Sequence, residues 1–167
     1  MTRQRDEFVS FYETAKDDCF RTVLVSVGRV EVAEDLVAEA FARAWATWEK
    51  LREHPAPRAW VVRTALNAHV SSWRRHRRET EPSYWHEPSS ESTPSPDEAD
   101  PELIERLRRL PARQREVVAL RLFLDLDTAQ TAEVRGIAPG TVTAHLARAI
   151  SVLRTQYASS QQGDTSR

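Results

Sequence analysis

The sequence has few residues that break helices or cross-link the chain. Only four of its 167 residues are glycine, and its one cysteine, Cys19, has no partner for an intramolecular disulfide. No apolar run approaches the roughly 20 residues that a membrane span requires, and the first residues lack the apolar core of a signal peptide. We therefore expect a cytoplasmic protein without membrane insertion, with Cys19 as a small buried hydrophobic residue.

The sequence also lacks the arrangements that are typical of catalytic and metal sites. It has no glycine-rich phosphate loop and no Cys/His spacing suited to a metal. Its histidines are scattered rather than paired: His54, His69, His76, His86 and His145. We expect no enzymatic activity, no metal and no cofactor.

What the sequence does contain favours helices. Runs of Ala, Leu, Arg and Glu and a hydrophobic share of 40% predict an all-α protein. Residues 79–101 hold five prolines among serines and acids, a composition that cannot bury enough apolar area to fold alone. We therefore predict two small helical domains, residues 1–78 and 102–158, joined by a flexible linker, 79–101, and followed by a disordered tail, 159–167.

Apolar residues at spacings of three and four predict the helices of the N-terminal module. A first helix is expected from about Asp6 to Val27, where Gly28 ends it. A second carries an apolar face from Val32 to Leu51 and an acidic outer face. The two prolines in residues 53–57 forbid a regular helix there, and a third helix is expected to start near Arg58.

The C-terminal module has the layout of a helix-turn-helix. Asp127 with Gln130 forms a capping box that predicts a short helix over 128–135, which Gly136 then ends. Pro139 suits the first position of a longer final helix. In such a unit the second helix enters the major groove, although the same geometry also occurs in helical hairpins that bind nothing. DNA binding is the interpretation we favour. The exposed positions expected to read bases are Thr141, Thr143, Ala144, His145 and Arg148, with Arg121 and Arg148 able to hold phosphate or guanine.

Charge is segregated along the chain although the net charge is only −1. Residues 49–78 contain eight basic and two acidic residues, whereas residues 79–102 contain eight acidic and no basic residues. The basic end of the third helix combines arginines with Asn67, Trp60 and Trp73, a mixture suited to unpaired DNA. Tryptophans at helical spacing are also common in cores. For Trp73 both interpretations stay open, and for Trp60 we favour the core.

The second helix has an acidic outer face, with Asp35 and Glu39 one turn apart. The pattern alone does not decide whether this face is merely solvated or pairs with a basic partner surface.

Together these segments resemble the extracytoplasmic-function group of bacterial sigma factors, which carry sigma regions 2 and 4. Residues 33–45, AEDLVAEAFARAW, are similar to region 2.2. Residues 58–75 are similar to regions 2.3 and 2.4, and residues 110–121 and 136–148 to region 4. The resemblance implies a protein that binds core RNA polymerase and promoter DNA, and the family commonly has an anti-sigma factor as a further partner.

The resemblance also implies roles for individual residues. Asn67 would receive a flipped base of the minus-ten element, and the 53–57 loop would form part of its pocket. The polymerase contacts would be Asp35, Glu39 and Arg43. The minus-ten contacts would be Trp60, Arg63, Asn67, Arg74, Arg75, Arg77 and Arg78. The minus-thirty-five contacts would be Arg121, Thr141, Thr143, Ala144, His145 and Arg148.

Three positions depart from the family pattern. Ala38 stands where region 2.2 often has Gln, and Thr143, Ala144 and His145 replace a common Lys-Ser-Arg run in the recognition helix. Thr131 occupies a usually aliphatic position, where its methyl group can still pack. Fewer cations predict weaker phosphate anchoring, and hence modest or signal-assisted promoter affinity with a shallow salt dependence.

Two other classes of function fit parts of the sequence. A stand-alone transcription regulator would bind duplex DNA through residues 127–154 without polymerase. A protein-interaction module would have kept the fold and lost DNA reading, as the weakly basic recognition helix allows. Association with core polymerase distinguishes a sigma factor from a stand-alone regulator. Run-off transcription with core polymerase distinguishes a sigma factor from a protein-interaction module.

Overall fold

Apolar residues at helical spacing produce eight helices in the computed structural model, which describes residues 1–79 and 100–163. Within these two ranges there is no strand, so the expected all-α fold is confirmed. The helices are α1 (Thr2–Val27), α2 (Val30–Ala46), α3 (Trp48–Leu51), α4 (Pro57–Glu79), α5 (Pro101–Arg108), α6 (Ala112–Phe123), α7 (Thr128–Arg135) and α8 (Pro139–Gly163).

The residues predicted to begin and end helices are found at helix ends in the structure. Gly28 ends α1 with a φ of 76°, and Gly136 ends α7 with a φ of 64°, both in the left-handed region that glycine adopts without strain. The Asp127 carboxylate accepts from the Gln130 N–H, while the Gln130 side chain accepts from the Asp127 N–H, which completes the capping box. Pro139 is the first residue of α8.

Several boundaries and faces differ from the prediction. The second helix stops at Ala46 and a separate turn, α3, follows it. Helix α4 starts one residue earlier than expected, at Pro57, because proline suits the first turn of a helix. Helix α8 continues to Gly163, into the segment predicted as a tail. Tyr12 of α1 and Trp45 of α2 follow the apolar spacing of their helices, yet the side chains of both are exposed.

Helices α1, α2 and α4 enclose the first hydrophobic core. Ala15, Cys19 and Val23 of α1 are fully buried against Ala44 of α2 and Val61 of α4. The prediction that Cys19 is a buried hydrophobic residue is therefore confirmed, and burial raises the pKa of its thiol to about 12. Phe41 and Trp48 of this core form a cluster of tilted, edge-on and stacked rings with Phe8 and Phe11.

Helices α5, α6 and α8 enclose a second core, and α7 packs across α6 and α8. Thr131, the departure noted in α7, is fully buried. Its hydroxyl donates to the Asp127 carbonyl at 2.8 Å, so its polar atom is satisfied within the helix.

The two modules share apolar cores, which the sequence did not indicate. Leu120, Leu124 and Leu126, from α6 and the loop after it, are buried in the N-terminal core. In the opposite direction Val25 of α1 is fully buried in the C-terminal core. The Arg108 guanidinium adds a hydrogen bond of 3.2 Å to the Gly28 carbonyl. The described parts of the two modules therefore form one packed body.

Candidate nucleic-acid interface

One exposed stripe of α4 carries the residues expected at the minus-ten element. At 3.6 residues per turn, Arg63, Asn67 and Arg74 lie within about 40° of each other around the helix axis. All three are exposed, and Glu79 is the only acid in the helix. This stripe offers cations for phosphates beside an amide that can hydrogen-bond a base edge, and Arg75 flanks it.

The two tryptophans of α4 divide between the two interpretations that the sequence left open. Trp60 is half-buried and packs against the N-terminal core, so it has the favoured core role while its edge reaches the surface beside Arg63. Trp73 is 54% exposed. However, it lies about 120° around the helix from Asn67, so it cannot stack on a base held by that amide.

The side chains of Arg77 and Arg78 lie outside the described residues, although the backbone of α4 continues through both positions. Their predicted contacts with the strand backbone stay predictions.

The 53–57 loop is held in place by contacts at both of its ends. His54 Nδ1 accepts from the Ala56 N–H at 3.0 Å, which closes a turn over Pro55. After the loop, the Arg58 guanidinium donates to the Asp18 carboxylate at 3.1 Å and to the Thr14 carbonyl at 3.0 Å. Arg58 thus anchors the start of α4 to the middle of α1, a role that the sequence reasoning missed because both partners lie about forty residues away.

A cleft beside this loop lies between the two modules. One wall comes from the loop and α4, with His54, Trp60 and Arg63. The other wall comes from α7, with Gln130, Glu133 and Val134. Helix α7 therefore stands against the surface to which the resemblance assigns minus-ten reading.

The recognition helix α8 presents only part of the expected set. Thr141, Thr143 and Arg148 are exposed, and the Thr143 hydroxyl donates to the Pro139 carbonyl, which leaves its oxygen able to accept. Ala144 and His145, both expected to be exposed, are half-buried. His145 lines a cleft with Arg113 of α6 and Gly136. The expectation that these two positions are exposed is wrong because the turn after α7 brings α6 and α7 close to the first turns of α8.

Two charged residues of the C-terminal module, Arg121 and Glu116, bind other residues of the same module. Arg121, expected at the minus-thirty-five element, donates to the Leu126 carbonyl at 2.7 Å and is half-buried. Glu116 of α6 pairs with Arg135 at the end of α7. Burial raises the pKa of the Glu116 carboxyl, and the neighbouring Arg135 opposes that rise.

The face of α2 predicted to bind polymerase is exposed. Asp35, Glu39 and Arg43 follow one another at single-turn spacing on the outer side of the helix. Arg43 pairs with Glu39, and each keeps more than half of its side chain exposed. The structure thus brings the three predicted residues together on one accessible surface.

Residues 1–79 and 100–163 contain neither a metal-binding cluster nor a membrane-spanning helix. No group of three His, Cys, Asp or Glu side chains in these ranges could hold a metal ion. No helix there combines the length and apolar character needed to cross a bilayer.

Comparison with known proteins identifies the family. The family model described as Sigma-70 region 2 matches residues 11–79, and that of Sigma-70, region 4 matches residues 101–153. The RNA polymerase sigma-E factor of Streptomyces coelicolor is 30% identical over 151 residues, which cover 90% of this chain and 85% of that protein. The ECF RNA polymerase sigma factor SigL of Mycobacterium tuberculosis is 30% identical over 141 residues, covering 81% of this chain and 80% of that one. The chain belongs to the extracytoplasmic-function group of sigma factors.

Solved structures share the fold of this sigma factor. The sigma factor RpoE of Bartonella quintana, solved in complex with the anti-sigma factor NepR, has a TM-score of 0.67 at 22% identity, covering 89% of this chain and 95% of that one. CnrH, solved with the cytosolic domain of CnrY, has a TM-score of 0.61 at 20% identity, covering 95% and 90%. Both likenesses cover both modules.

The family assignment gives the activity. As a sigma factor, the chain binds core RNA polymerase and directs promoter-specific initiation of transcription. This favours the sigma-factor interpretation over a stand-alone regulator and over a module that has lost DNA reading.

Proposed function

We propose that this sigma factor divides promoter recognition between its modules, residues 1–78 and 102–158. The exposed stripe of α4 reads and holds the melted minus-ten strand, and the exposed turns of α8 read the minus-thirty-five duplex. The observation that carries the proposal is the exposed stripe of α4, which places the Asn67 amide between the arginines Arg63 and Arg74. No acid competes with phosphate along that stripe before Glu79.

On α4 we assign base recognition to Asn67 and strand anchoring to Arg63, Arg74 and Arg75. An exposed amide discriminates between base edges, whereas guanidinium groups neutralise phosphates without reading sequence. Trp60 supports the loop from the core side. On α8 the corresponding readers are Thr141, Thr143 and Arg148, since their side chains are exposed at the start of the helix.

The exposed face of α2 is the proposed docking surface for core polymerase. Asp35 and Glu39 supply negative charge to a basic partner surface, and Arg43 pairs with Glu39 one turn further along the helix. The protein works in the cytoplasm without a catalytic step of its own. An anti-sigma factor is proposed as a regulatory partner, in line with the complexes in which the two structural neighbours were solved.

The test compares Asn67→Ala with Ser72→Ala in reconstituted holoenzyme. Both residues are exposed on α4, and they lie about 140° apart around the helix, so Ser72→Ala controls for changes in the helix itself. We expect Asn67→Ala to bind core polymerase normally and to lose at least tenfold in run-off transcript, with matching loss of permanganate-reactive thymines. Equal transcription by the two variants would contradict the assignment.

A further inference from the structure

Helix α1 contacts the chain on both sides of the 53–57 loop. Before the loop, the Arg52 guanidinium donates to the Glu7 carboxylate at 3.1 Å. After the loop, the Arg58 guanidinium donates to the Asp18 carboxylate at 3.1 Å. These two ion pairs, here called the clasps, start from positions about 16 Å apart along one helix. The loop is therefore tied at each end to a different point of α1.

Helix α1 gives the clasps a rigid support. Cys19, the neighbour of Asp18, is fully buried in the core that α1 shares with α2 and α4, so the helix cannot turn without disturbing that core. The clasp at Asp18 has two further hydrogen bonds. Arg21 donates to the other carboxylate oxygen at 3.1 Å, and Arg58 donates to the Thr14 carbonyl at 3.0 Å.

Between the clasps the loop has little freedom of its own. Pro55 and Pro57 each fix a backbone φ angle, and the bond from the Ala56 N–H to the His54 ring closes the turn. What the loop itself leaves open is its placement as a unit relative to α4. The two clasps act on that placement.

The loop and the α4 stripe form one surface at this point. His54 of the loop and Arg63 of the stripe line the same cleft, and Asn67 follows Arg63 by one helical turn on the same face. Discrimination between base edges requires hydrogen-bonding groups held to within about 0.5 Å, whereas a guanidinium group can follow a phosphate over a wider range. A displaced loop therefore costs base discrimination more than it costs overall affinity.

We propose that Glu7 and Asp18 are positioning residues for promoter reading: through the two clasps, α1 holds the 53–57 loop at a fixed place relative to Asn67 and so sets how sharply the flipped minus-ten base is discriminated. This inference rests on the proposed function, because that function places the base at Asn67. A carboxylate repels phosphate, so removing either acid does not take a DNA contact away. Weaker base discrimination in such a variant then reports on the placement of the loop.

The test measures open-complex formation by reconstituted holoenzyme on promoters that carry each of the four bases at each position of the minus-ten element. Asn67→Ala first identifies the position at which that amide discriminates. Asp18→Ala and Glu7→Ala then remove one clasp each. Glu13→Ala is the matched control, because Glu13 is also an acid of α1 and its partner at 3.0 Å, Lys16, lies on the same helix.

We expect the ratio between the preferred base and the other bases to fall about three- to tenfold in Asp18→Ala and Glu7→Ala, at the Asn67 position alone. Core polymerase binding and the salt slope of promoter binding should stay unchanged, and Glu13→Ala should keep the wild-type ratios. Arg58→Lys keeps a cation for Asp18 but loses the fork that bonds two groups of α1 at once, so its ratio should be intermediate.

Amide exchange in the full-length free chain tests the clasps without DNA. The Ala56 N–H is protected by its bond to the His54 ring. We expect it to exchange faster in both clasp variants than in the wild type or in Glu13→Ala. Wild-type exchange in both clasp variants would overturn the inference, because the loop would then be held without α1.

Two results with promoters would also overturn it: unchanged base ratios in both clasp variants, or an equal loss on all four bases, which indicates general damage to the fold. If Asp18→Ala loses helical content by circular dichroism, Glu7→Ala and Arg58→Lys decide, because both change side chains that are at least 35% exposed. Unchanged ratios in Asn67→Ala would contradict the proposed function, and this inference would fall with it. Unchanged ratios in the clasp variants alone would leave the proposed function standing.

Discussion

Single side chains decide whether the helix-turn-helix begins and ends correctly. The capping box at Asp127 satisfies two backbone groups at the start of α7. We expect Asp127→Ala to lower the free energy of unfolding by about 1 kcal/mol, because the Gln130 N–H loses its acceptor. Asp127→Asn keeps an acceptor oxygen and should cost less. Urea denaturation of both variants checks this, and a loss as large for Asp127→Asn as for Asp127→Ala would contradict the role of the acceptor oxygen.

A buried carboxyl gives stability a pH dependence at the residue scale. Burial raises the pKa of Glu116 above its ordinary value of 4.5, so the folded chain binds its proton more tightly than the unfolded chain does. The contribution of Glu116 to stability is therefore fully present below pH 4.5 and is lost as the pH rises through the folded pKa. We expect Glu116→Gln to remove this slope when unfolding free energies of the two proteins are subtracted across the pH series. A pH-independent difference would contradict the raised pKa.

Whole helices set how strongly the protein holds DNA. The exposed outer turns of α8 place one arginine, Arg148, among the proposed readers, because His145 is half-buried beside α6. Each phosphate contact contributes a slope of about −0.9 to the logarithm of affinity against the logarithm of salt concentration. We expect Arg148→Ala to reduce the salt slope of holoenzyme binding by about 1, measured by promoter binding across a salt series. An unchanged slope would mean that Arg148 holds no phosphate.

The far end of α8 is fixed by one buried arginine. Arg106 of α5 is only 7% exposed, donates to the Ser160 hydroxyl at 2.9 Å, and lies 4.1 Å from the centre of the Tyr157 ring. We expect Tyr157→Ala to free the last turns of α8 and to speed amide exchange over residues 154–163, while exchange over residues 142–149 stays unchanged. Ser159→Ala, at an exposed neighbouring position, is the control. Equal exchange in both variants would contradict this anchoring.

At the scale of the whole molecule, the shared cores couple the stability of the two modules. Leu120 of α6 is fully buried in the N-terminal core. All five tryptophans precede residue 100, so their fluorescence reports on the N-terminal part of the chain. We expect Leu120→Ala to cost about 2 to 5 kcal/mol and to lower the Tm seen by tryptophan fluorescence. Leu122→Ala should leave that Tm unchanged. An unchanged fluorescence Tm in the Leu120→Ala variant would show that the modules unfold independently.

The sequence by itself determined the helices, their capping residues and the family, because apolar spacing, Gly28, Gly136 and the capping box act over a few residues. It also placed Asp35, Glu39, Asn67 and Arg148 correctly on exposed faces, since helical periodicity sets those faces locally. Only the tertiary structure decided which of the residues predicted to contact DNA are instead buried or bonded within the protein.

Arg121 and His145 stand at positions where the family contacts DNA, yet Arg121 donates to a carbonyl of the loop between α6 and α7, and His145 lies half-buried beside α6. The burial of Leu126 in the N-terminal core, the anchoring of Arg58 by Asp18 and the bond from Arg108 to Gly28 join residues about 40 to 100 positions apart. No periodic pattern encodes such pairings. They depend on which apolar surfaces meet once all the helices have formed.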